Sequence, residues 1–205
     1  MDEVVSAARI GCPHDGCEVY VPYHEIQDHE SACPHAPCSC TADPCCGFVG
    51  PAPALVAHLA TAHAMPVHKV TYGKVHRIQV TAPEPARRLL VAAGDDGGGD
   101  AFLLRLGTLG IATVVTAVCI RAEACTSPSY SVKMWVNGPR LAAPAPSHKT
   151  DMMLADFEAT SSTAPGDVAF EDLTSYLMVP PGYLVEGAGP AKELPLHVRI
   201  GRTTT

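Results

Sequence analysis

A spacing that occurs twice constrains the first third of this 205-residue chain more than any other feature. Cys12-x4-Cys17-x11-His29-x3-Cys33 is followed by Cys38-x7-Cys46-x11-His58-x4-His63, so eleven residues separate the second sulfur from the first imidazole in both halves. Seven of the nine cysteines crowd between Cys12 and Cys46. In a secreted chain that density would read as disulfides. Here histidines are interleaved with the cysteines, and the acidic start Met1-Asp2-Glu3 lacks the positive region of a secretory signal, which points to a metal in a reducing compartment. No apolar run approaches the ~20 residues of a membrane span, so no membrane partner is expected.

Thiolates and neutral imidazoles suit zinc, whereas hard cations would require oxygen ligands. Each half supplies four ligands: Cys12, Cys17, His29 and Cys33 in the first, and Cys38, Cys46, His58 and His63 in the second. Four protein ligands make a closed tetrahedral site with no open position, so two structural Zn2+ ions are expected and a zinc enzyme is disfavoured. Cys40 can replace Cys38, and Cys45 can replace Cys46; Cys46 is preferred because it keeps the eleven-residue interval. His14, His24, His35 and His68 are read as loop or packing histidines. In each finger a knuckle carries the first pair of ligands, and a helix carries the second, expected over residues 23–30 and 53–63. A unit this small buries little apolar surface. Metal binding worth about 10–16 kcal/mol in zinc-finger peptides supplies the difference, and the metal-free chain is expected to lose this part of its fold.

Residues 1–70 carry two bases, Arg9 and Lys69, against eight acids, a net of −6, while residues 71–205 carry a net of −1. Zinc bound by two or three thiolates does not make such a surface basic. Nucleic-acid affinity needs Lys and Arg to neutralise phosphates, so no nucleic-acid partner is expected.

Composition changes near residue 70, from Cys, His and Pro to short runs of Val, Leu, Ile, Thr and Tyr. Strands are expected over 76–80, 88–92, 102–106, 111–120, 130–136, 152–158, 176–179 and 196–200, with turns at 95–99 and at Asn137-Gly138. Tyr130, Val132, Met134 and Val136 alternate with Ser131, Lys133, Trp135 and Asn137, as half-buried strands of a sandwich do. An all-β second domain follows. No catalytic residue is singled out: His148 and His197 stand apart from any nucleophile motif, and Cys119 reads as a small core residue. Trp135 reads first as core and second as lining a peptide site.

The run of Cys12-Pro13, Cys17, Val21-Pro22-Tyr23, His29-Glu30, Cys33, Pro37-Cys38-Ser39-Cys40, Cys46-Gly47-Phe48-Val49-Gly50, Leu55, His58 and His63 resembles the SIAH-type zinc-finger region of the Seven-in-absentia (SINA) ubiquitin ligases, and more narrowly their SINA-like plant relatives. The resemblance continues through residues 66–70 and weakly into 133–139. It implies a tandem zinc-finger domain over 1–70 and a TRAF-like antiparallel β-sandwich over 71–205 that binds target proteins and dimerises. The implied function is the zinc-binding, substrate-recognition portion of a ubiquitin–protein ligase in protein degradation, in the cytoplasm and also the nucleus. The family carries a RING domain ahead of its fingers. The cysteines left over in this sequence are too few and too scattered for one, so the chain is not expected to be catalytic alone, and an adaptor or inhibitor role beside a RING-containing SINA-type partner or a second copy of itself is expected. The alternative is a zinc-stabilised protein-interaction module unrelated to ubiquitin. The interval Cys38-x7-Cys46 is one residue longer than the family pattern leads one to expect.

Overall fold

A computed structural model describes residues 8–82, 85–93, 99–139, 151–166, 170, 175–187 and 191–203. The turn signal over 95–98 and His148 lie outside the described residues.

The first finger opens with a ribbon of β1 (Arg9–Gly11) and β2 (Tyr20–Pro22). A single 3₁₀ turn, Tyr23–Glu25, leads into helix α1 (Ile26–Ala32). The second repeats the plan with β3 (Cys38–Ser39), β4 (Val49–Gly50) and α2 (Ala52–Ala62). Pro51 precedes α2 and Pro53 sits in its first turn, where a proline's missing N–H costs nothing.

The rest is a two-layer sandwich of strands. Its elements are β5 (Val67–Val70), β6 (Val75–Ala82), β7 (Ala86–Ala92), β8 (Ala101–Leu109), β9 (Ala112–Ile120), β10 (Ser129–Asn137), β11 (Met152–Glu158), β12 (Ser161–Ser162), β13 (Leu177–Val179), β14 (Val185–Glu186) and β15 (Lys192–Thr203). One sheet runs β11-β10-β15-β14, with β6 on the other side of β15. The second runs β12-β9-β8-β7-β5, with β13 also paired to β9. The expectation of a purely antiparallel sandwich needs correction at two places, because β5–β7 and β12–β9 are parallel. Val67–Val70, on the N-terminal side of the composition change, is therefore hydrogen-bonded into the second sheet.

Burial follows chemistry. β6 alternates exposed and buried residues, and Ile78, Val80 and Ala82 enter the core between the sheets beside Phe102, Leu104, Val115, Val132, Met134, Leu196 and Val198. In contrast β9 is buried along its whole length, a continuous apolar run that marks a strand covered on both faces. Phe102, Leu104 and Leu106 of β8 face the inter-sheet core, whereas Ala101 and Leu103 face α2.

Two turn expectations need revision. Ile111 was expected inside a strand, but Leu109 pairs with Ala112, so Gly110 and Ile111 form a two-residue hairpin loop with Gly110 at φ +61° and Ile111 86% exposed. Asn137-Gly138 is not such a loop: Asn137 pairs with Met152, and the Gly138 N–H donates to the Asp151 carbonyl at 2.6 Å. Among the described residues no helix is long and apolar enough to cross a membrane.

Candidate metal centres

Both fingers assemble their ligands the same way. A short strand delivers the first cysteine: Cys12 directly follows β1 and Cys40 directly follows β3. The Cys12 N–H donates to the Val19 carbonyl at 3.0 Å, and the Cys40 N–H to the Phe48 carbonyl at 2.9 Å, closing each knuckle. A turn delivers the second cysteine, with Cys17 N–H donating to His14 and Cys46 N–H to Asp43. The helix then presents an imidazole, His29 in α1 and His58 in α2, and the fourth ligand follows the helix end, Cys33 and His63.

Two four-residue groups result, Cys12, Cys17, His29 and Cys33, and Cys40, Cys46, His58 and His63; within each, every donor atom lies within 4.8 Å of the others. In the first, Cys12 Sγ lies 3.8 Å from Cys33 Sγ, and Cys17 Sγ lies 3.4 Å from His29 Nε2. In the second, Cys40 Sγ lies 3.3 Å from His63 Nε2, and Cys46 Sγ lies 3.2 Å from His58 Nε2. Tetrahedral zinc, with Zn–S of about 2.3 Å and Zn–N of about 2.0 Å, has S···S edges of about 3.8 Å and S···N edges of about 3.5 Å. The donor sets and their edges fit two closed zinc sites.

Seven of the eight expected ligands fall in these groups; the eighth does not. Cys40 takes the place given to Cys38, whose Sγ instead donates to the Ala36 carbonyl at 3.7 Å and packs with Leu55 and Leu59. The cause is position: Cys38 is paired within β3, opposite Gly50, while the knuckle begins only where the strand ends. The signal was in the repeat. Aligning Cys17 with Cys46 places the partner of Cys12 at residue 41, next to Cys40 and three residues beyond Cys38. The alternative of Cys45 for Cys46 is not adopted; Cys45 is exposed, its N–H held by Asp43 Oδ1 at 2.8 Å. His14, His24, His35 and His68 join neither group. His14 Nε2 lies 3.3 Å from the Glu30 carbonyl, and His24 pairs with Glu25 on the surface.

Surroundings tune the sulfurs. A backbone hydrogen bond at Val19 holds the Cys17 thiol down at about 7, whereas burial pushes Cys33 up to about 12 and also raises Cys40. Metal capture therefore displaces protons, and acid competes with it. The His35 N–H donates to Cys33 Sγ at 3.4 Å, and Phe48 stacks on the His58 ring with centroids 4.1 Å apart and planes 6° apart, fixing the imidazole. The Phe48 stack was not anticipated from the sequence.

Closed sites with this donor order on two tandem β-knuckle and helix units match a known pattern: residues 7–75 fit the family model described as Sina, zinc finger. This stretch is similar to the SINA-type zinc finger. No curated protein matches the chain. The SINA-type region ends inside the sandwich, since residue 75 opens β6.

Elsewhere, Cys119 sits in the inter-sheet core and burial pushes its thiol up to about 12, consistent with a packing role. Trp135 departs from the core reading. It lies half-buried on the outer face of the five-stranded sheet, its ring stacked on His197 at 5.2 Å.

Proposed function

We propose that this SINA-type chain is the substrate-recognition and dimerisation portion of a ubiquitin–protein ligase system acting in protein degradation, with the sandwich in the TRAF-like docking role and the fingers as its rigid support. The observation that carries the proposal is the fusion of the second finger to the sandwich. Leu55 and Leu59 of α2 are buried against Leu89, Leu103 and Ile120, so scaffold and docking domain share one core. Two structural zinc ions supply rigidity and take no part in group transfer. Beyond the two clusters, the cysteines Cys38, Cys45, Cys119 and Cys125 gather into no further metal site among the described residues. In this reading ubiquitin transfer draws on the RING of a SINA-type partner, and the chain acts as adaptor or competitor beside it, in the cytoplasm or nucleus. Target segments that bind in extended form have β11 or β6 available, each paired on one side only among the described residues.

The test is a reconstituted reaction of activating enzyme, conjugating enzyme, a RING-bearing SINA ligase and its target, titrated with the zinc-loaded chain. Altered transfer to the target, upward or downward, supports the proposal. Transfer unchanged at saturating chain, or robust ubiquitin-chain formation by this protein with no RING partner present, overturns it.

A further inference from the structure

The outer face of the five-stranded sheet carries chemistry that neither the zinc sites nor the core uses. Strand register places Leu154, Trp135, His197 and Arg77 in one row across β11, β10, β15 and β6. Trp135 and His197 stack with planes 9° apart. The His197 Nδ1 is buried and has no hydrogen-bond partner among the described residues. In the next row Lys133 stands directly opposite Arg199, a like-charge pairing that costs stability in a sheet. Asp156 neutralises Lys133 at 2.8 Å, but Arg199 and Arg77 are exposed and have neither an ion pair nor a hydrogen bond among the described residues. The remaining acids of this face are spoken for or distant: Glu193 accepts from Gln79, and Glu158 sits opposite Ser131 at the far end of β11. Leu154 is 48% exposed beside Trp135, an apolar shelf on a sheet face that nothing in the chain covers among the described residues.

We propose that this face docks an acidic segment of a partner protein, its carboxylates meeting Arg77 and Arg199 and an apolar or aromatic side chain seating on the Trp135–His197 stack and Leu154. Charge selects this occupant. The chain carries a net −7, so an acidic segment is repelled from the fingers and drawn to the two uncompensated guanidiniums, a pairing of attraction with repulsion that gives one-sided choice of site. Nucleic acid is disfavoured because two free arginines neutralise too few phosphates for backbone-driven binding. A second copy of the chain is disfavoured on this face, because a two-fold contact would set the exposed Arg77 and Arg199 of one copy against the same like-charged surface of the other. The inference concerns binding alone and stands whether or not ubiquitin transfer follows.

Trp135 is the single tryptophan in the chain, so its fluorescence reports the site without a label. The zinc-loaded full chain is titrated with a twelve-residue peptide of alternating Glu and Phe-Gly units, and with the same peptide carrying Gln for Glu. The expected result is a saturable change in Trp135 emission with the Glu peptide that weakens as salt rises, and binding reduced about tenfold or more in Arg77→Glu/Arg199→Glu. The milder Arg77→Gln/Arg199→Gln, which adds no new charge, is expected to lose part of that affinity, and Arg9→Glu in the first finger to lose none. Equal binding of the Gln peptide, unchanged affinity in both arginine double variants, tighter quenching by single-stranded oligonucleotide, or a self-association that occludes Trp135 in the peptide-free chain each overturns the proposal.

Discussion

The two fingers share one plan and are stabilised by different means. In the first, α1 buries no residue, and the local cluster amounts to Cys33, Ala36 and Ala122, with Cys12, Cys17 and Cys125 packed at its margin. In the second, α2 buries Leu55 and Leu59 fully, and their cluster reaches across to Met65, Leu89, Leu103 and Ile120. Polar ties reinforce the difference: the Ser39 N–H donates to the Thr163 carbonyl at 2.8 Å, and Arg87 donates to the Thr41 carbonyl at 2.7 Å. A repeated ligand pattern therefore does not make two equivalent units. The first finger depends almost wholly on its ion, while the second adds burial worth about 1.5–3 kcal/mol for each large aliphatic side chain removed from water. Knuckle geometry diverges too. The four-residue first knuckle requires Gly16 at φ +85°, whereas the second, one residue longer from Cys40, needs no left-handed residue, Ala64 being the one non-glycine with positive φ among the described residues.

The contrast can be broken most forcefully by removing zinc. Chelation at neutral pH is expected to abolish hydrogen-exchange protection over residues 9–33 while residues 52–62 keep part of theirs through the sheet contacts; equal loss in both would erase the distinction. Lowering the pH should act in the same direction, since protons compete for the thiolates. Next in size, Cys40→Ser should reduce the metal count in native mass spectrometry from two ions to one and lower the melting temperature. Leu55→Ala should cost about 2–5 kcal/mol in chemical denaturation by opening a cavity under the second finger, whereas Ile26→Ala at the partly exposed start of α1 should cost well under half of that. Gly16→Ala should weaken the first finger alone by about 1–2 kcal/mol, because a Cβ is strained in the left-handed region and meets His35 Nδ1 at 3.2 Å. Smallest of all, Cys38→Ala should leave both ions bound and cost only the packing of one buried thiol; loss of an ion here would reinstate Cys38 as a ligand.

Much of this was readable from residue order. The eleven-residue intervals located both sites, because helix and knuckle geometry leave little freedom in how far a second sulfur stands from the first imidazole. Period-two alternation located β10, whose two faces see core and solvent. What escaped was set at longer range. Cys38 and Cys40 differ only in where β3 stops, which depends on its pairing with β4 and on Thr163. β5 is four residues long and acquires its identity from β7, to which it pairs in parallel, a partner that local propensity does not reveal. Ile111 extended an apolar run in sequence and was drawn into the strand, yet Gly110 turns the chain before it. Trp135, expected in the core as a lone aromatic, instead follows the polar set of β10 and lies on the outer face.

The hydrogen bond between Gly166 N–H and Thr41 Oγ1 joins positions 125 residues apart. During synthesis the first site has all its ligands as soon as residue 33 emerges, and it can close on the ribosome. The second knuckle gains its clasp only after residue 166 has followed. Both sites have all their ligands once residue 63 has emerged, and the bond from residue 166 then ties the second knuckle to a segment made much later.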